Sequence, residues 1–235
     1  MVTNQEIIHF AHVPKCGGQS FKKGLHDAYG DEVYFFYLIP MPIFFWRKVH
    51  LFLWRIRNRF VAHKVPSGTK IIYGHFCFDD LPVPESTEIR RGAFFRDPVE
   101  WLGSYYFYAR AKYPEQFHAG PLDAIRAIGL SAGFRKYLGS INVRDLDFVG
   151  LQEEYSTSLA LYEKIFGRRI PQVFKNETSS KPQGSGPNGT YREYFKKEGL
   201  LDQIEEAMKD NMEIYKSAVT QYNLLARRHN LPIHE

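Results

Sequence analysis

The sequence predicts a three-layer αβα fold, in which helices cover both faces of a central, mostly parallel sheet. Three observations lead to this fold class. Short apolar runs alternate with longer stretches of helical periodicity. The first apolar run leads through a glycine-containing turn into a helix, a P-loop-like strand-loop-helix that is suited to phosphate. The length of 235 residues fits one large core, so we expect a single domain over residues 1–235.

Short apolar runs are the candidate strands. They cover residues 6–13, 71–73, 89–95, 148–150 and 172–174. Strands that alternate with helices imply a parallel sheet that is covered on both faces.

Helical patterns separate these runs. They cover residues 21–29, a stretch that starts at residue 98, and about 153–166 and 200–228. Asp97 at the N-cap, Pro98 at the first helical position and Glu100 at the third predict the start of the second helix. Residues 178–190, which are rich in Ser, Gly and Pro, predict a loop.

The net charge of +5 comes from one segment. No acidic residue lies between Glu32 and Asp79, yet this stretch holds seven of the 31 Lys and Arg residues. The rest of the chain therefore has 24 basic residues against 26 acidic ones. Such a local surplus argues against a nucleic-acid-binding surface and favours a local site for an anion.

The residue content and pattern of the sequence exclude several classes of protein. Two cysteines, Cys16 and Cys77, cannot form a disulfide framework. The first residues lack the basic and apolar regions of a signal peptide. Prolines and basic residues interrupt the most hydrophobic stretch, residues 34–53, so it does not predict a membrane span. We therefore predict a cytoplasmic protein, and without metal-ligand spacing we expect no metal.

The first candidate site is the turn Pro-Lys-Cys-Gly-Gly-Gln-Ser at residues 14–20. Its two glycines let backbone N–H groups close around an anion, and the following helix directs its positive end there. Lys15 adds a full charge and Ser20 a hydroxyl donor. The Lys precedes the glycines, so the turn is not a Walker A motif. The alternative is an ordinary strand-to-helix turn.

The second candidate site is formed by Arg96 and Ser104. Arg96 follows a predicted strand, and ligands bind at the carboxyl ends of strands in open α/β sheets. Ser104 lies about two helical turns beyond Asp97, so it can face the same crevice. An Arg and a Ser that converge there suit a second phosphate. The alternative is that Arg96 pairs with an acidic neighbour and Ser104 is a surface hydroxyl.

Together these motifs resemble those of the PAPS-dependent sulfotransferases, where PAPS is 3′-phosphoadenosine-5′-phosphosulfate. The closest likeness is to the carbohydrate type, which includes heparan sulfate uronyl 2-O-sulfotransferase and bacterial relatives. Residues 14–20 look like the family's 5′-phosphosulfate loop, the Arg-Asp-Pro step from Arg96 to Ser104 looks like its 3′-phosphate motif, and residues 150–154 resemble a further family segment. The resemblance implies that PAPS is the co-substrate and that no metal is needed. It also implies cofactor contacts from the residues of the loop, the second motif and the late loop, namely Lys15, Cys16, Gly17, Gly18, Gln19, Ser20, Arg96, Ser104 and Lys181. Lys175 is a weaker choice in the late loop.

The reaction that this resemblance implies is in-line transfer of a sulfuryl group to an acceptor hydroxyl. Lys15 would stabilise the leaving group, and His75 would act as the base, because a similar Gly-His segment follows the family's second strand. An imidazole is apt, since its ordinary pKa of about 6.5 leaves it mostly neutral at pH 7. The rival base is a carboxylate, Asp79 or Asp80.

Other residues near these motifs have less specific interpretations. The family's second histidine, two residues before the base, is Tyr73 here. We interpret His9 and His12, like the remaining histidines, as core, surface or strand-face residues. Cys16 is either a reactive thiol at a helix N-terminus or a small residue that fills space.

Residues 34–60 combine ten aromatic residues with basic ones. The segment can pack as core, dock peripherally on a membrane surface, or line an acceptor groove. We assign Arg55, Arg57 and Arg59 to acceptor binding and therefore expect an acidic poly- or oligosaccharide. The alternatives are a lipid or small-molecule acceptor, and a non-catalytic protein that binds phosphonucleotides or polyanions.

Overall fold

The computed structural model describes residues 5–36, 65–81, 87–112, 120–123, 133–173, 187 and 189–234. Its strands are β1 (Gln5–Ala11), β2 (Val33–Phe35), β3 (Ile71–Gly74), β4 (Thr87–Phe95) and β5 (Phe148–Leu151). They form one sheet in the order β2-β3-β1-β4-β5, and every neighbouring pair is parallel. The predicted parallel sheet is confirmed.

Helices lie on both faces of this sheet. They are α1 (Gly18–Tyr29), α2 (Pro98–Lys112), α3 (Arg135–Leu138), α4 (Tyr155–Phe166), α5 (Tyr191–Lys197), α6 (Leu201–Ala207) and α7 (Lys209–Arg228). On one face, Phe10 of β1 packs against Phe21 of α1 and Tyr162 of α4. On the other, Phe95 meets Phe134, which in turn meets Trp101 of α2. These three layers confirm the predicted fold class.

The starts of α1 and α2 show how local sequence places the site. Gly17 adopts a left-handed φ of 78°, which turns the chain sharply and lets α1 begin at Gly18 rather than at the predicted residue 21. The predicted N-cap of α2 is confirmed, because Asp97 Oδ1 accepts the backbone N–H groups of Val99 and Glu100 at 2.9 and 3.0 Å.

Three predicted elements need correction. Residues 172 and 173 are not in a strand, since the chain just before them packs against Gly24 of α1 instead of joining the sheet. The long final helix is interrupted at Met208, which separates α6 from α7. Strand β2 was not predicted, because its three residues lie inside an aromatic segment and are ordered by pairing with β3.

The topology brings three strand ends together. Strand β1 lies between β3 and β4, with Ala11 in register with Gly74 on one side and with Ala93 on the other. The carboxyl ends of parallel strands meet at one edge of a sheet. The residues that follow β1, β3 and β4 therefore share that edge, which is where the predicted site lies.

Candidate active site

The loop between β1 and α1 has an unusual backbone. Lys15 has a φ of 67° and Gly17 a φ of 78°, so two residues of this short turn are left-handed. A non-glycine residue in this region costs about 1–3 kcal/mol and persists only where its surroundings enforce it. Two contacts hold the loop: Trp101 Nε1–H donates to the Pro14 carbonyl at 2.7 Å, and Arg96 Nη1 donates to the Lys15 carbonyl at 3.4 Å.

Helix α2 lies beside this loop. The Lys15 ammonium sits 4.3 Å from the centroid of the Tyr108 ring, a cation–π contact. Trp101, two turns earlier, contacts Pro14. Ser104 lies three residues after Trp101 and four before Tyr108, so helix periodicity places it on the same stripe of α2. A contact between Ser104 and a ligand stays a prediction.

Arg96 follows β4 and approaches both the loop and α2. Its Nη2 atom lies 3.6 Å from Glu100 Oε2, so the predicted alternative of an acidic partner is present in part. Its Nε atom is buried and, among the residues that the structure describes, has no hydrogen-bond partner. Because both guanidinium contacts of Arg96 are long, its N–H groups retain capacity for an anion.

The remaining loop residues differ in exposure. Gln19 is exposed, whereas Gly18 and Ser20 are buried at the start of α1. Cys16 is fully buried, and this burial raises the pKa of its thiol. The buried thiol favours the space-filling interpretation of Cys16, so any ligand contact would come from its backbone N–H. We call this loop, together with Arg96 and Ser104, the phosphate side of the site.

A second group of residues follows β1 and β3. His75 Nδ1–H donates to the carbonyl oxygen of His12 at 2.8 Å. A carbonyl oxygen only accepts hydrogen bonds, so the proton of the neutral ring is assigned to Nδ1 and the lone pair to Nε2. The rings of His12 and His75 stack with centroids 4.3 Å apart, and Tyr73 stacks on His12 at 5.2 Å. We call these three rings the histidine stack.

The surroundings keep this stack uncharged. Burial, followed by the nearby Lys22 ammonium, lowers the pKa of His75 below 6.5 against an opposing effect of the His12 carbonyl. Burial, followed by the neighbouring His75 imidazole and the Lys22 ammonium, holds the pKa of His12 well below its ordinary value. His75 is therefore neutral at pH 7, as a general base must be.

The rival base Asp79 has a structural contact instead. Its Oδ2 accepts the Ser140 backbone N–H at 2.8 Å, and its Oδ1 accepts the Ser140 hydroxyl at 2.7 Å. Gly139 packs closely against the same carboxylate. These contacts tie the loop after β3 to the loop after α3, so the geometry favours His75 over Asp79.

Residues at the end of β5 support the phosphate side. Glu153 Oε1 accepts the Asp97 backbone N–H at 2.8 Å, which steadies the start of α2. The Tyr155 ring packs against Gly17 of the loop. Segment 150–154 thus acts here through structural contacts.

Sequence reasoning missed His12, Lys22 and Tyr137. The Tyr137 ring lies 6.3 Å from that of His75, so it belongs to the surroundings of the proposed base. The sequence gives one indication for His12, because His12 and His75 each come one residue after a strand. Only the register of Ala11 with Gly74, which the sequence does not give, makes them neighbours.

Several predicted residues cannot be placed. Lys175, Lys181, Arg55, Arg57 and Arg59 lie outside the described residues. Within the described parts of the chain, no group of three His, Cys, Asp or Glu side chains could hold a metal ion. In the same parts, no helix combines the length and apolar character needed to cross a membrane.

The comparisons with known proteins give distant structural likenesses. No protein-family model matches the chain, and no curated protein matches it. A sulfotransferase from Alicyclobacillus acidocaldarius is 15% identical, with 90% of this chain and 97% of that chain covered and a TM-score of 0.42. Mouse sulfotransferase SULT7A1 complexed with PAP (3′,5′-ADP) is 12% identical. The match covers 92% of this chain and 88% of that chain, with a TM-score of 0.44. Retinol dehydratase complexed with retinol and PAP is 15% identical. The match covers 90% of this chain and 82% of that chain, with a TM-score of 0.41. Likenesses this distant decide no activity, which must be argued from the residues of this chain.

Proposed function

We propose that this chain is a PAPS-dependent sulfotransferase that transfers a sulfuryl group to a hydroxyl of an anionic carbohydrate. The observation that carries the proposal is the meeting of two groups at one edge of the sheet. Lys15 and Arg96 supply cationic donors on the phosphate side, and His75 supplies a neutral imidazole whose lone pair is on Nε2. A donor anion and an acceptor hydroxyl need these two kinds of group side by side.

Each group has one role in the proposed step. His75 Nε2 takes the proton of the acceptor hydroxyl, whose oxygen forms a bond to sulfur. The bond from sulfur to the 5′-phosphate oxygen breaks, and the electron pair leaves with 3′,5′-ADP (PAP). Lys15 and the N–H groups at the start of α1 stabilise the charge that develops on this leaving oxygen. Arg96 and Ser104 hold the 3′-phosphate.

The acceptor class rests on the charge distribution of the sequence. The residues assigned to the donor lie on either side of the acid-free stretch between Glu32 and Asp79, so donor binding does not account for its seven basic residues. We assign that stretch to an acidic or already sulfated acceptor. The cytoplasmic location and the single domain over residues 1–235 stay predictions.

Calorimetric titration with PAP tests the donor site. We expect wild-type protein to bind PAP and Arg96→Ala to bind it about 10- to 100-fold more weakly, since hydrogen bonds to a charged group are each worth about 1.5–3 kcal/mol. Arg96→Lys keeps the charge but loses the planar fork, so its affinity should fall between the two. Arg168→Ala is the matched control, because Arg168 pairs with Glu32 and stacks on Tyr29, away from the loop. No PAP binding by the wild type, or unchanged binding by Arg96→Ala, would refute the donor assignment.

Transfer of labelled sulfate from PAPS to glycan, lipid and phenol panels tests the acceptor. We expect acidic glycans to be labelled, and simultaneous neutralisation of Arg55, Arg57 and Arg59 to weaken acceptor use while PAP affinity stays. Labelling confined to lipids or phenols would reject the carbohydrate assignment. Loss of both acceptor use and PAP affinity in the triple variant would point to a structural role for these arginines.

A further inference from the structure

We infer that His12 is a positioning residue for His75: its carbonyl and its ring together hold the His75 imidazole in the one orientation that presents Nε2 for proton transfer. The inference rests on the proposed function insofar as His75 is the base. It concerns a residue that the sequence motifs did not single out.

The first step of the argument is the conformational freedom of a histidine ring. The outer torsion of a histidine side chain is broad and roughly two-fold, so a ring can flip and exchange its two nitrogens. The hydrogen bond from His75 Nδ1 to the His12 carbonyl favours one of these states. A single hydrogen bond contributes too little net free energy to fix a partly exposed ring by itself.

The second step is the stack. The His12 ring covers one face of the His75 ring at 4.3 Å with an interplanar angle of 20°. The Tyr137 ring approaches the same imidazole from α3 at 6.3 Å. Rotation of His75 away from the carbonyl would break the stacked contact as well as the hydrogen bond. The two contacts from His12 therefore act on the same torsion.

The third step is that His12 is itself rigid. It is 6% exposed, and its ring stacks with those of Tyr73 and His75. Its Nε2 edge packs against Gly18, where an added Cβ would lie 1.7 Å from that nitrogen. Its backbone N–H donates to the Gly74 carbonyl at 2.7 Å. Because these contacts hold His12 in place, the His75 ring that packs on it is held in a fixed position relative to β1 and α1.

The fourth step is the state of the His12 ring nitrogens. Its Nδ1 atom is buried and has no hydrogen-bond partner among the residues that the structure describes. A buried polar atom without a partner destabilises a fold, because its lost hydration is not replaced. A phenyl ring at this position would keep the stack without that cost. The geometry thus assigns His12 a role through its shape and its carbonyl, and no role as a proton carrier.

The groups that face His75 define the pH behaviour to expect. Among the residues that the structure describes, they include the His12 ring after β1, the Lys22 ammonium of α1 and the Tyr137 phenol of α3. Removing the His12 ring opens one face of His75 to water, so the pKa of His75 should rise towards its ordinary value. Because the base works in its neutral form, the acidic limb of the activity profile should then move to higher pH.

Nitrogen-15 NMR of the His75 imidazole in the full-length protein tests this inference together with steady-state kinetics. Four proteins are compared: wild type, His12→Ala, His12→Leu, which keeps the volume but not the planar ring, and His12→Phe. We expect the Nδ1–H tautomer in wild type and His12→Phe, and a mixture of tautomers with a raised pKa in the other two. With PAPS and a labelled acceptor, kcat should fall about 10- to 100-fold in His12→Ala and His12→Leu and return to within about threefold in His12→Phe, while the KM for PAPS changes little.

His9→Leu is the matched control. His9 lies on β1 and is also a buried histidine, but its ring packs against Phe76, outside the histidine stack. The His9→Leu variant should therefore leave the tautomer of His75 unchanged. An unaltered tautomer and pKa of His75 in both His12→Ala and His12→Leu would overturn the inference. If wild type fails to bind PAP while the tautomer still responds to position 12, the proposed function fails and the positioning of His75 by His12 is supported.

Discussion

The phosphate side and the histidine stack hold their polar groups in opposite ways. On the phosphate side, Arg96 makes long contacts of 3.4 and 3.6 Å, and Lys15 lies over an aromatic ring. In the stack, His75 makes a 2.8 Å hydrogen bond and a close ring contact. The first arrangement leaves N–H groups of Arg96 for an anion, and the second fixes which nitrogen of His75 carries the proton. Proton transfer requires a base that is held in a defined orientation, which the second arrangement supplies.

This difference separates donor binding from proton transfer. The phosphate side supplies cationic side chains that suit the phosphates of the donor, so it should govern donor affinity. The stack is neutral because burial lowers the pKa of both histidines, so it should govern turnover and its pH dependence. Variants on either side can break or sharpen this division.

The largest expected effect comes from His75→Gln. Loss of the base should lower kcat by about 10²- to 10⁴-fold, since positioned general bases contribute that much. PAP affinity should stay within about twofold, because the phosphate side is intact. Sulfate-transfer kinetics and calorimetry on the same preparation measure both. Near-wild-type turnover would mean that another group takes the proton.

Lys15→Met should come next. We expect kcat to fall by about 10²- to 10³-fold, as for removal of a donor to a developing oxyanion, together with weaker PAP binding. Lys15→Met would therefore lower both kcat and PAP affinity, whereas His75→Gln would lower kcat alone. Lys23→Met is the control, because Lys23 is exposed on α1 and pairs with Asp27. A change in PAP affinity with unchanged kcat would remove Lys15 from the leaving-group role.

The two sides also differ in how far the sequence predicts them. Lys15, Gly17, Arg96 and Ser104 belong to short local motifs at a strand end or a helix start, so the sequence shows each motif directly, and the family resemblance groups them. The stack depends on the register of β1 with β3, a non-local fact. Likewise β2 was missed, because it gains order only from its neighbour, and residues 172–173 were misassigned because packing against α1 outweighs their strand-like composition.

A smaller effect concerns pH and stability. Burial, followed by the Arg91 charge, lowers the pKa of His9 from 6.5 to about 4. The unfolded chain therefore binds a proton that the native state excludes as the pH falls from 6.5 towards 4, and stability is lost across that window. We expect the Tm to drop by about 5 °C across this window and the drop to shrink in His9→Leu. Thermal melts at several pH values test this, and an equally steep drop in His9→Leu would place the titrating group elsewhere, with His12 and His75 the next choices.

The smallest effect should come from Tyr73→Phe. The Tyr73 hydroxyl donates to the Gly18 carbonyl at 2.7 Å, a hydrogen bond that joins the histidine stack to the first residue of α1. Its loss should lower the free energy of unfolding by about 1 kcal/mol and leave the stacked ring in place. Denaturant unfolding measures that change, and PAP titration measures whether it reaches the phosphate side. If PAP affinity stays within about twofold, the two sides act separately despite this link. If affinity instead falls tenfold or more, the stack helps to shape the phosphate loop, and the division between binding and chemistry fails at this bond.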